Sequence, residues 1–95
     1  MILAIDVGNS NIVIGAIREN KVCFVSRMAT EGSRTEDQYA IYFREIFSLY
    51  QVDGESFEGG IISSVVPPVT GIIAKAVSKI IGKEPLVVVP ELKPG

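Results

Sequence analysis

Asp6, Gly8, Asn9, Ser10 and Asn11 are the residues of this chain best suited to chemistry: they crowd one carboxylate, one glycine and three short polar side chains into a single turn after the apolar run Ile2-Leu3-Ala4-Ile5. A carboxylate at the end of a buried strand is costly unless a cation or hydrogen-bond donors meet it. A magnesium ion held through water satisfies that need. Gly8 allows backbone angles closed to other residues and lets main-chain N–H groups approach a ligand, while Asn9, Ser10 and Asn11 supply hydrogen-bonding side chains. Such a turn can surround phosphate oxygens with dipoles alone. The same residues also suit a plain hairpin in which Gly-Asn only turns the chain, and Asp-x-Gly by itself does not choose between the two.

The elements that must position this turn follow from the hydrophobic pattern. Residues 2–5 are uniformly apolar, as expected of a central strand covered on both faces. Residues 11–17 return as a second, antiparallel strand, and Glu19-Asn20 marks the next turn. Residues 21–28 form a third strand near the sheet edge, with Val22, Phe24 and Ser26 on one face and Cys23, Val25 and Arg27 on the other. Residues 29–34 read as a loop. Thr35 and Gln38 then have capping-box spacing, with Glu36 and Asp37 at the positive end of a helix dipole. Tyr39, Tyr42, Phe43, Ile46, Phe47 and Tyr50 recur at helical spacing, a stripe that reads as core. A buried parallel strand over residues 60–66 ends at Pro67-Pro68, which can open a helix. That helix carries the stripe Val69, Ile72, Ile73, Ala76, Val77, Ile80 and Ile81, and closes at Gly82 with Lys79 and Lys83 near its negative end. Residues 86–89 make a fifth strand and residues 90–95 a linker that stops in mid-course.

Composition narrows the chemistry further. At 95 residues the chain is one small domain or part of a larger one, and its 47% hydrophobic and 21% charged content is that of a globular protein. A net charge of -2 gives no general attraction to nucleic acid or anionic membrane. There is no histidine, which removes Ser-His-Asp and Cys-His catalysis and histidine-ligated zinc. Cys23 is the only cysteine, so no internal disulfide forms, and its apolar neighbours suggest a small buried hydrophobe. No stretch suits a signal peptide or a bilayer span, and a cytoplasmic location is the default expectation.

A strand meander followed by strand-helix-strand alternation describes an α/β protein with a mixed sheet, in sequence order β-β-β-α-β-α-β, and a ligand site at one edge of the strand ends. The order resembles one ribonuclease-H-like half of the bilobed sugar-kinase, Hsp70 and actin (actin/hexokinase-type) architecture. Four segments sharpen this: Ala4-Ile5-Asp6-Val7-Gly8-Asn9-Ser10-Asn11, Arg34-Thr35-Glu36-Asp37-Gln38-Tyr39, Ile61-Ile62-Ser63-Ser64-Val65-Val66-Pro67-Pro68 and Pro85-Leu86-Val87-Val88. In this order and at about this spacing, they resemble the type III pantothenate kinases.

That resemblance implies ATP-dependent phosphorylation of pantothenate to 4'-phosphopantothenate, the first step toward coenzyme A. It assigns residues 1–95 to the N-terminal, ATP phosphate-binding lobe. The loop matching Asp6, Val7, Gly8, Asn9, Ser10, Asn11, Ile12 and Val13 would hold the ATP phosphates, and Asp6 would organise magnesium. Ser10 stands where the family usually has threonine and keeps the hydroxyl. The family's catalytic aspartate, pantothenate pocket, adenosine motif and monovalent-cation site (K+ or NH4+) would fall in a C-terminal lobe beyond Gly95. The chain alone is therefore expected to be inactive, and the full-length enzyme to be a homodimer. No catalytic residue is carried over. Arg34 reads as a solvated loop charge that could instead reach a phosphate or an acidic partner, and Ser63 and Ser64 either line the nucleotide cleft or cap the strand end. Two other classes stay in view: a non-catalytic regulator or nucleotide-binding relative of the same fold, and a ribonuclease-H or resolvase-like nuclease, which would need further acids at neighbouring strand ends.

Overall fold

The computed structural model describes residues 1–90, and the expected linker over residues 90–95 lies almost wholly outside them. Strands β1 (Ile2–Val7), β2 (Asn11–Arg18) and β3 (Lys21–Ala29) precede helix α1 (Glu36–Leu49), β4 (Gly59–Ser64), helix α2 (Pro67–Ile81) and β5 (Leu86–Val88). They form one mixed five-stranded sheet in the order β3-β2-β1-β4-β5. The first three strands are an antiparallel meander, while β4 runs parallel to β1 and β5 parallel to β4. β3 therefore points the same way as β1, and β1, β3, β4 and β5 all end at one edge of the sheet.

Local chemistry explains each boundary. Glu19 and Asn20 both take positive φ, 51° and 63°, the requirement of the tight turn that matches strand twist. The Thr35 hydroxyl accepts from the Gln38 N–H, and the Gln38 side chain accepts from the Thr35 N–H, completing the expected capping box. Pro67 and Pro68 occupy the first positions of α2, where a missing N–H costs nothing. Gly82 ends α2 in the left-handed region at φ 71°, as its position after the apolar stripe suggests.

Both helices lie on one face of the sheet. Leu3, Ile5, Val7, Ile12, Ile14, Ala16, Phe24 and Ile62 pack there against Tyr39, Phe43, Phe47, Val69, Ile73, Ala76, Val77 and Ile81. The expectation that β1 is covered on both faces is corrected: the alternate residues Ile2 and Ala4 are only half-buried and Asp6 is exposed. Three further expectations change. A bulge in the β2–β3 pairing sets Ala16 opposite Phe24 but Ile17 opposite Val22. It skips Cys23 and turns Val22 away from the Phe24 face. Cys23 is accordingly exposed and not a buried hydrophobe. In the α1 stripe, Tyr39, Phe43 and Phe47 are core, whereas Tyr42 and Tyr50 remain about two-fifths exposed, Tyr50 stacking its ring on Phe24 at 4.5 Å. Lys79 does lie in the last turn of α2, as expected, and from there it also pairs with Glu36 and Asp37 in the first turn of α1, while Lys83 donates to the Phe57 carbonyl at 2.9 Å.

Candidate functional site

The edge where the parallel-running strands end is where an open α/β sheet offers a ligand crevice. Asp6 stands there, paired with Val13 on β2 and Ser63 on β4. Because β1 alternates Leu3, Ile5 and Val7 into the core, Asp6 must project from the other face. It is exposed in this chain, so burial does not demand a cation there; what marks the residue is its place beside the turn.

The turn closes through a hydrogen bond from the Gly8 N–H to the Asn11 carbonyl at 2.9 Å. Gly8 is needed for a reason other than the one its sequence suggests. Its φ is not in the left-handed region, yet a Cβ on Gly8 would meet the Asn11 carbonyl oxygen at 3.2 Å. Close approach of two backbones, not unusual dihedrals, is what a side chain here would have to push apart. Asn9, Ser10 and Asn11 are exposed at the tip. Val7 and Ile12, by contrast, are fully buried and offer a ligand nothing but backbone, and Val13 is half-buried opposite Asp6. Of the eight residues from 6 to 13, the fold therefore gathers Asp6, Gly8, Asn9, Ser10 and Asn11 into one polar rim.

Thr30, which nothing in the sequence singles out, completes the rim. Its hydroxyl donates to the Gly8 carbonyl at 2.8 Å and its N–H to the Ser10 carbonyl at 3.0 Å. The signal is absent from local sequence because Thr30 meets the turn only through the return of β3 alongside β2. Beside it, Arg34 is corrected from a solvated loop charge to a clasp. Its side chain is only 13% exposed, its guanidinium donates to the Ala29 carbonyl at 2.6 Å, and it lies 4.6 Å over the Tyr42 ring. The Tyr39 hydroxyl donates to the Glu31 carbonyl at 2.8 Å and accepts from the Glu31 N–H at 3.4 Å.

The two serines at the end of β4 divide. Ser64 is buried, and its hydroxyl accepts from the Val66 N–H at 3.1 Å and the Thr70 hydroxyl at 2.8 Å. It thus secures the start of α2, where Val66 supplies no side-chain cap. Ser63 instead lies in register with Asp6, half-exposed. The Val65 N–H donates to the Val7 carbonyl at 3.1 Å, tying the end of β1 to the same corner.

For a divalent ion, Asp6 offers one carboxylate, and no group of three or more Asp, Glu, His or Cys side chains converges among the described residues. That donor set fits magnesium carried by phosphates and water, which takes one or two carboxylates, and not a dedicated all-protein cage. No helix of the described residues is long and apolar enough to cross a membrane.

Fold and rim together define a class: an α/β fold whose strand ends meet at a hairpin with exposed polar side chains beside one acid. Comparison with known proteins sharpens this. The family model described as type III pantothenate kinase matches residues 2–95. Type III pantothenate kinases of Geobacter sulfurreducens, Finegoldia magna and Moorella thermoacetica are 41%, 38% and 35% identical to it over all 95 residues. The chain belongs to the type III pantothenate kinase family, and it spans 36–37% of the length of these relatives. Two structures of Aquifex aeolicus Ppx/GppA proteins cover 95% of the chain and 35–36% of their own, at 14% identity and TM-scores of 0.45 and 0.47, a likeness too slight to bear on function.

Proposed function

We propose that residues 1–95 are the ATP phosphate-binding lobe of a pantothenate kinase, with Asp6, Val7, Gly8, Asn9, Ser10, Asn11, Ile12 and Val13 forming the phosphate loop. The observation that carries this reading is the exposed rim, in which Asp6 stands beside a turn whose Gly8 and Ser10 carbonyls are drawn back toward Thr30. Phosphate oxygens would meet the N–H groups of the turn and the side chains of Asn9, Ser10 and Asn11, and Asp6 would hold the magnesium ion that neutralises them. When bound, that ion supplies charge neutralisation of the transferred phosphoryl group. Val7 and Ile12 serve by anchoring the two strands in the core, which keeps the turn at a fixed height above the sheet.

The family's names support ATP and pantothenate as substrates. The wider reading has a cytoplasmic enzyme acting as a homodimer, whose other lobe contributes the catalytic acid, the pantothenate pocket and a potassium or ammonium site. Phosphoryl transfer needs a positioned nucleophile as well as clamped phosphates, so residues 1–95 alone bind nucleotide without transferring its phosphate. A nuclease fits less well, since the ladder neighbours of Asp6 are Val13 and Ser63 and neither is an acid.

Titration of isotope-labelled chain with a non-hydrolysable ATP analogue and magnesium tests the site. Saturable shifts at the amides of Gly8, Asn9, Ser10 and Asn11, abolished without magnesium and in Asp6→Ala, are expected. Shifts confined to another surface would overturn the assignment.

A further inference from the structure

We infer that Thr30 is the positioning residue of the phosphate loop, an inference that rests on the reading of that loop just given. A planar trans peptide points its C=O and its N–H to opposite sides, and the described chain has no cis peptide bond. Thr30 takes the Gly8 carbonyl with its hydroxyl and the Ser10 carbonyl with its N–H. The first bond turns the Asn9 N–H away from Thr30, and the second does the same for the Asn11 N–H. One residue thus sets the direction of two peptide planes: the Asn11 N–H is turned back across the hairpin toward Gly8, and the Asn9 N–H is the donor turned away from both Thr30 and the hairpin's closing bond.

The Gly8–Asn9 plane depends on this most. A two-residue hairpin turn commonly closes with reciprocal bonds, but here only the Gly8 N–H to Asn11 carbonyl bond is made, and the Gly8 carbonyl goes to Thr30 instead. With glycine on one side of the plane, little else resists its rotation. A rotated plane would aim a carbonyl oxygen at the phosphate and repel it.

Thr30 is itself held on both sides. Arg34 fixes the Ala29 carbonyl before it, and the Tyr39 hydroxyl bonds both the N–H and the C=O of Glu31 after it. Tyr39 is fully buried in the core, so the first turns of α1 fix where Thr30 stands. The loop is oriented by the helix through a chain of contacts that never touches the ligand.

Residues 1–95 carrying Thr30→Val or Thr30→Ser decide the matter, since valine keeps the shape and the backbone N–H but loses the hydroxyl, and serine keeps it. Residual dipolar couplings of the Asn9 and Asn11 amides, without nucleotide, read the direction of the two planes. Titration with magnesium and a non-hydrolysable ATP analogue reads affinity. Thr30→Val is expected to change the Asn9 coupling and weaken binding about tenfold, the scale of one hydrogen bond, while Thr30→Ser retains both and neither moves the melting midpoint by more than a few degrees. Unchanged couplings in Thr30→Val, or equal losses in the two variants, would overturn the inference. Should the unsubstituted chain take up no analogue, the phosphate-loop reading fails, and the couplings still decide whether Thr30 directs the two amides.

Discussion

A single methyl group at Gly8 is enough to test how closely the turn is packed. Gly8→Ala places a Cβ 3.2 Å from the Asn11 carbonyl, the very acceptor of the Gly8 N–H, so one of the two must retreat by a few tenths of an ångström. Titration should show several-fold weaker nucleotide binding, and urea unfolding a loss of about 1 kcal/mol. Arg34 gives a second prediction at this scale. A flat guanidinium can stack on Tyr42 and donate to the Ala29 carbonyl at once, which an ammonium cannot. Arg34→Ala and Arg34→Lys should therefore both destabilise, by roughly 1–2 kcal/mol in urea unfolding, and rescue by lysine would argue that only charge matters. The contrast with what sequence conveys is clear here. Asp6, Gly8, Asn9, Ser10 and Asn11 fall within six consecutive positions, so their chemistry can be read in one glance. Thr30 and Arg34 act on backbone carbonyls, which carry no sequence signature, and the partners of Thr30 lie some twenty residues away.

Among the elements, α1 and α2 were legible because their signals are local. Thr35 with Gln38, Pro67-Pro68 and Gly82 each act within one turn of the chain. Thr35→Ala should cost about 1 kcal/mol, seen as lower stability in urea and faster amide exchange in the first turn of α1. What sequence did not convey is the bulge at Cys23, since a strand's alternation looks regular until its partner is known. Nor did it show that Lys79, in the last turn of α2 as expected, also pairs with the acids in the first turn of α1. Hydrogen bonds from Lys79 to Asp37 and then Glu36 hold its ammonium above its ordinary value of 10.5. A raised lysine value means that the folded chain keeps the proton better than the unfolded one. The contribution is thus complete below 10.5 and fades as pH climbs through the raised value. Alkaline unfolding scans of the chain and of Lys79→Met should diverge in neutral solution and converge at the alkaline end, and parallel curves throughout would refute the pairing.

At the scale of the molecule, the helices cover one face of the sheet and leave the other open. Periodicity could place residues on faces but not say which face would be covered, since that depends on where each helix crosses. The open face and its β5 edge carry Val25, Ile61, Leu86 and Val88, each between 44% and 63% exposed. An apolar, uncharged edge strand is a template for pairing with another copy. Sedimentation velocity of residues 1–95 should show concentration-dependent association, reduced by Val88→Lys.

The sheet order has one more implication, concerning time rather than space. β1, β2 and β3 each pair with their neighbour in sequence, so Asp6, the turn after it and Thr30 all belong to a meander complete by residue 30. β4 and β5 then join on the far side of β1 without parting any earlier pair. Contacts this close in sequence form ahead of those that must close long loops. On a growing chain, the rim that would meet a nucleotide can be laid down before either helix exists, and Tyr39 and Arg34 lock a shape already sketched.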